Sequence, residues 1–224
     1  MIYVINDNET SGFKHWWHDV ISCGLVVMND RLEVIDHFYD TCQPWYPKNF
    51  NPDSTRAHGF TLPETMTFQP PEMLAKKIIW FLSKHRVEKE YFHFVAHDLN
   101  SFDFNFLESF FLKVGLQFSF RKVFNQHHRS STIIKARDLG YENNGLGEWA
   151  KRLKKDFLHH NALDDAKMCA DIFKHLINLE KETGHVTTIS ESKPKQTRKL
   201  HSKRTNKTED GSELNLKGLQ LTTF

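Results

Sequence analysis

The stretch that most constrains this chain is its opening one, Ile2 to Gly12, reading IYVINDNETSG. An apolar run, two acids one residue apart and then Thr-Ser-Gly make the pattern of a strand that ends in a turn. Side chains alternate along a strand, so Ile5, Asp7 and Glu9 share a face, with the two carboxylates about 7 Å apart. Like charges on one face repel until a cation or a proton neutralises them. Taken singly, such a pair also fits an acidic strand end facing water, so its meaning depends on what the rest of the chain brings to it.

The chain of 224 residues is long enough for one domain with a full core plus a tail. Its 19 Phe and 39% hydrophobic content supply that core, and no run approaches the ~18 apolar residues of a membrane span. The N-terminus enters strand pattern with no basic segment and apolar core of a signal peptide, so a cytoplasmic location is expected. Cys23, Cys42 and Cys169 lack C-x-x-C spacing, which argues against a disulfide framework or a zinc site. The net charge of +2 is uneven: from Thr183 onward eight Lys/Arg stand against four Asp/Glu. The part before it is slightly acidic, so bulk charge does not make it a nucleic-acid binder. Affinity for phosphate would have to come from local basic residues, bound metal or the tail.

Val20–Met28 and 31–40 read as two further strands joined at Asn29-Asp30, giving an antiparallel meander with the first. His15, Trp16, Trp17 and His18 fall in the loop between strands one and two, where they could stack on a base or anchor the loop. Residues 43–67 are loop-rich, and a helix is expected from Glu72 to about Arg86. A short buried strand follows at 91–96, then a helix over 101–114 whose apolar stripe contains Asp103. An acid inside such a stripe is informative, because a charged carboxylate is seldom buried without a partner. A strand is expected over 118–124 and short helices over 131–137 and 145–153. The last helix runs from an Asn161 N-cap to about Glu182, with Asp165 inward, Asp164 toward water and His160 just before its start. The domain division is therefore 1–182 and a basic, disordered tail over 183–224.

Asp7, Glu9, Asp103 and Asp165 thus sit at a strand end and two helix starts, which can converge at one sheet edge. Hard oxygen ligands of this kind suit Mg²⁺ or Mn²⁺, and two such ions serve phosphoryl chemistry. His160 has the side chain for a base at neutral pH.

The order D-x-E-T-S-G, then HDLNSFDFNFL, then HHNALDDA resembles the DEDDh 3′→5′ exonucleases over about residues 1–180. AHGFT at Ala57–Thr61 and TIIKAR at Thr132–Arg137 also match family segments, and TIIKAR and HHNALDDA look closest to exonuclease X. The resemblance implies an α/β, RNase H-like fold: a mixed sheet, its first three strands an antiparallel meander, flanked by helices. It implies Asp7, Glu9, Asp103 and Asp165 as ligands of two divalent cations, Mg²⁺ or Mn²⁺, and His160 as general base. Spacing to Asp165 favours His160 over His159. Thr10, Phe102 and His58 would lie near the terminal nucleotide. Asn8 and Asp98 depart from the usual pattern; Asn8, pointing away from the acids, is expected to matter little, and Asp98 to alter a loop contact or nucleotide preference.

The expected activity is release of nucleoside 5′-monophosphates from the 3′ end of single-stranded nucleic acid, DNA ahead of RNA. The alternatives are an exoribonuclease resembling RNase T or oligoribonuclease, and a binding subunit. The last would be docked on a polymerase or sliding clamp through the tail, whose Gln220-Leu221-Thr222-Thr223-Phe224 weakly resembles a clamp-binding pentapeptide.

Overall fold

The computed structural model describes residues 1–86, 92–98, 102–118, 124–157 and 159–184, with the main chain alone for 124–128. Three strands open it: β1 (Ile2–Thr10), β2 (Val20–Met28) and β3 (Val34–Thr41). Helices α1 (Pro52–His58), α2 (Leu62–Thr65) and α3 (Pro71–Ser83) follow, then β4 (Phe92–Ala96), α4 (Phe104–Lys113) and β5 (Phe124–Ser131). Helices α5 (Thr132–Asp138), α6 (Leu146–Leu153) and α7 (Ala162–Thr183) complete the described residues.

The five strands form one sheet in the order β3-β2-β1-β4-β5. β1 pairs antiparallel with β2, as does β2 with β3, whereas β1–β4 and β4–β5 are parallel. The mixed α/β sheet and its opening meander are those expected. β1 is central because both its faces are covered. On one face Val4, Leu25 and Phe94 pack against Leu74 and Ile78 of α3 and Leu107 and Phe111 of α4. On the other, Ile5, Val26 and Val95 meet Ala166, Cys169 and Phe173 of α7. A third cluster, including Ala136, Trp149 and Ile172, fastens α5 and α6 to the outside of α7. All three cysteines are buried free thiols. No helix of the described residues is long and apolar enough to cross a membrane.

Three elements differ from expectation. β3 begins at Val34 because Asn29 Oδ1 accepts from the main-chain N–H groups of Arg31 and Glu33, widening the turn. Leu32 takes a left-handed conformation (φ 61°) within it and is buried in the α7-side core. Residues 43–67 are more ordered than their prolines suggest, since α1 and α2 each take a proline in the first turn, where its missing N–H costs nothing. The strand expected over 118–124 falls mostly outside the described residues, and β5 starts at its last residue, Phe124, and runs to Ser131 parallel to β4. Its sequence, FNQHHRSS, has no apolar alternation, and among the described residues its ladder runs along β4. Residues 119–123, 99–101 and 185–224 lie outside the described residues, and with them the start of the expected 101–114 helix and the tail beyond Gly184.

Candidate active site

Strand β1 carries Asp7 and Glu9, paired across the antiparallel ladder with Gly24 and Ser22 of β2. They share the face that α7 covers, as alternation requires. The first turn of α7 lies directly over Gly24: a Cβ there would come within 2.1 Å of the Ala162 carbonyl oxygen. A glycine at this point thus lets the helix start close on the sheet beside Asp7. Asn161 caps that helix, its Oδ1 accepting from the N–H groups of Leu163 and Asp164, and the first turn presents the buried Asp165.

Single carboxylate oxygens of Asp7, Glu9 and Asp165 all lie within 4.8 Å of one another. Asp103 joins them from the start of α4; its side chain makes no capping bond to its own helix, and its charge acts on Asp7. Three of the four acids that the sequence singled out thus meet directly, and the fourth, Asp103, stands near enough for its charge to act on Asp7.

Their environment is hostile to four negative charges. Burial, followed by Asp103, Asp165 and Glu9, raises the Asp7 carboxyl well above the usual carboxylate range. Burial and then Asp165 push Glu9 up to about 7. Burial and then Asp98 push Asp103 up to about 8. Asp165 is raised by burial, while His159 and the His160 main chain pull it back. Among the described residues no lysine or arginine forms an ion pair with any of the four, and Asp165 Oδ1 is buried without a hydrogen-bond donor. Clustered oxygen donors without a lysine or arginine among them are the donor set that hard divalent ions take.

The histidines are arranged more subtly than spacing alone suggests. His160 is exposed and left-handed (φ 70°), and its main-chain N–H donates to Asp165 Oδ2 at 3.1 Å. His159 Nδ1 lies 3.3 Å from the same carboxylate, and the two rings stack with centroids 4.0 Å apart. Both histidines, not His160 alone, thus stand at Asp165. Burial and then His159 lower the His160 pKa below the usual imidazole value.

His58 packs alongside: its Nε2 lies 3.2 Å from the Thr10 carbonyl, and its Nδ1 accepts from the Phe60 N–H at 3.1 Å. That pairing fixes a neutral ring donating through Nε2. Burial is the main cause of its lowered pKa, to which His160 contributes. Thr10 and His58 therefore flank Glu9, while the half-buried Phe102 stands beside Asp103 and packs on Phe106 at 4.7 Å.

Two residues that hold the site were not recognised in the sequence. Gly24 is one. The other is Asn8, whose side chain does point away from Asp7 and Glu9 but donates to the main-chain carbonyl of Asp103 at 3.3 Å. It also pairs with the fully buried Asn6, which in turn donates to the Gly24 carbonyl at 3.2 Å. Two asparagines on the core-facing positions of an apolar strand were the available signal.

Residues 4–173 match the family model described as exonuclease, RNase_T. The chain is 27% identical over 194 residues to a PolC-type DNA polymerase III of Thermotoga petrophila, and 26% identical to that of Thermotoga maritima. Those matches cover 84% of this chain but only 13% of each relative. Among solved structures, E. coli exonuclease I in complex with a dT13 oligonucleotide is similar with a TM-score of 0.67 at 15% identity, over 82% of this chain and 42% of that one. The nuclease domain of 3′hExo, a DEDDh family member bound to rAMP, is similar with a TM-score of 0.58 at 18% identity, over 79% of this chain and 92% of that one. With the family's pattern of acids gathered on its fold, this chain belongs to the DEDDh 3′→5′ exonuclease family.

Proposed function

We propose that the chain is a metal-dependent exonuclease that hydrolyses phosphodiester bonds from a 3′ end and releases nucleoside 5′-monophosphates, acting on single-stranded DNA in preference to RNA. The observation that carries this reading is the meeting of the Asp7, Glu9 and Asp165 carboxylates, with the Asp103 charge acting on Asp7 and, among the described residues, no lysine or arginine paired to any of them. Asp7, Glu9 and Asp165 would hold two divalent cations, Mg²⁺ or Mn²⁺, with Asp103 completing the shell of the second. Such ions, when bound, activate a water and stabilise the leaving oxygen.

His160 is the base that takes the attacking water's proton. Its lowered pKa keeps the ring neutral and able to accept at neutral pH, and its main-chain bond to Asp165 ties it to the cradle. Thr10, His58 and Phe102 border the place where the terminal nucleotide lies. The likeness to PolC-type DNA polymerases supports DNA as substrate. A structural neighbour described as recognising a histone mRNA stem-loop supports RNA as the second reading.

The test is digestion of 3′- and 5′-end-labelled DNA and RNA strands with Mg²⁺, Mn²⁺ or chelator, by wild type and Asp165→Asn. Metal-dependent shortening from the 3′ end, absent in the variant, is expected. Equal degradation of 3′-blocked and free strands would sink the reading, and faster digestion of RNA would move it to the ribonuclease form.

A further inference from the structure

The loop joining β1 to β2 carries Trp16 with 65% of its surface exposed, yet the loop itself is firmly held. Lys113 of α4 donates to the His15 and His18 carbonyls at 3.4 and 2.7 Å and pairs with Asp19 at 2.7 Å. Ser109 Oγ donates to the His15 carbonyl at 2.6 Å, and Asn49 Nδ2 to that of Trp17 at 2.9 Å. The His15 ring lies edge-on to Trp16 at 4.9 Å and to Phe106 at 6.2 Å, and Phe106 packs on Phe102. A series of rings thus leads from Phe102, beside Asp103, outward to Trp16.

Against Trp16 lies an open cavity of about 230 Å³, walled by His15, Leu112, Asn105, Glu108 and Gln117. Asn105 and Glu108 are two and five residues past Asp103, about 3 and 7.5 Å farther along α4 at the helical rise. Around the helix they lie about 200° and 140° from Asp103, so the cavity opens on the other face of α4 and connects to the acids along the rings of Phe102, Phe106 and His15. Its walls are largely apolar, with an acceptor in the Glu108 carboxylate and, in Gln117, an amide that can both accept and donate. Aromatic and aliphatic walls carrying acceptors match a flat ring with N–H groups on its rim.

We propose that this cavity receives one unstacked nucleobase of the substrate strand, lying 5′ of the scissile bond. The base stacks on Trp16 and turns an exocyclic amino group toward Glu108. The proposal rests on the nuclease reading above, since it takes the 3′ end to lie among the four acids. A carbonyl edge would meet the lone pairs of the Glu108 carboxylate, so amino-bearing bases are preferred at this position.

The test uses single-stranded oligonucleotides carrying 2-aminopurine at the second, third or fourth position from the 3′ end, with cleavage blocked by Asp165→Asn. Quenching by stacking is expected at one of these positions. Adding Trp16→Ala should remove it and weaken binding about tenfold, the scale of one lost base–aromatic stack. Adding Glu108→Gln should narrow the preference for guanine over hypoxanthine at that position. Proteins with Asp165 intact are compared on an oligonucleotide and on the p-nitrophenyl ester of thymidine 5′-monophosphate, which has no base beyond its scissile bond. Trp16→Ala should raise KM for the oligonucleotide alone, with kcat kept. Quenching that survives Trp16→Ala, or equal losses on ester and oligonucleotide, overturns the pocket while leaving the nuclease reading standing. A wild type that hydrolyses neither substrate with any divalent metal overturns both.

Discussion

The side-chain amide of Asn8 donates to the main-chain carbonyl of Asp103, joining the strand that carries two acids to the helix start that carries a third. The bond is buried, so removing the amide loosens a tie between those elements. Asn8→Ala should lower kcat about 10- to 100-fold, the scale of a small misplacement of a catalytic group, and cost about 1–3 kcal/mol of stability. Mn²⁺ titration should show weakened metal binding; unchanged kcat and Mn²⁺ affinity would show that Asp103 is held without Asn8.

Gly24→Ala places a methyl group against the Ala162 carbonyl, where no Cβ fits. The start of α7 must shift, taking Asp165 with it. The expected result is loss of at least about 100-fold in activity, together with a lowered Tm. Gly147→Ala is the control: it lies within α6 with nothing near its Cβ position, and should keep activity and gain roughly 0.5–1 kcal/mol.

Stability of the metal-free protein should fall as pH rises. Glu9 and Asp103 titrate near 7 and 8 in the folded chain, against ordinary carboxylate values when unfolded. Between about pH 4 and 8 the folded state therefore binds more protons than the unfolded one, and its stability declines through that window. Mg²⁺ or Mn²⁺, held by the deprotonated acids, should reverse the trend and raise Tm more at pH 8 than at pH 6. Thermal melts at both pH values, with metal or chelator, check the sign; a metal-free Tm that climbs from pH 5 to 8 would contradict it.

The stacked pair His159 and His160 can be separated by mutation. His160→Ala should reduce kcat about 100- to 10,000-fold and flatten the acidic limb of the pH–rate profile. In the wild type that limb should lie below the ordinary imidazole pKa, given the lowered value of this ring. His159→Ala should cost less and leave the limb in place, since its ring leans on Asp165 and on its neighbour. A larger loss in His159→Ala would exchange their roles.

The acids were legible in the sequence because each broke a local rule. Asp7 and Glu9 end an apolar strand, while Asp103 and Asp165 interrupt the buried stripes of helices whose periodicity is strong. The meander and the Asn161 cap were legible from turn and cap chemistry. Relations between segments were not. Gly24 reads as an ordinary strand glycine until α7 is laid over it, and Asn8 matters through a carbonyl almost a hundred residues away. β5 was not legible because its sequence, FNQHHRSS, carries no apolar alternation.

The four acids come from positions 7, 9, 103 and 165, and the last is carried by α7, the final helix among the described residues. If these acids hold the proposed ions, a chain still emerging from the ribosome, or one frayed at α7, would lack a ligand. The proposed hydrolysis would then wait on the docking of that helix.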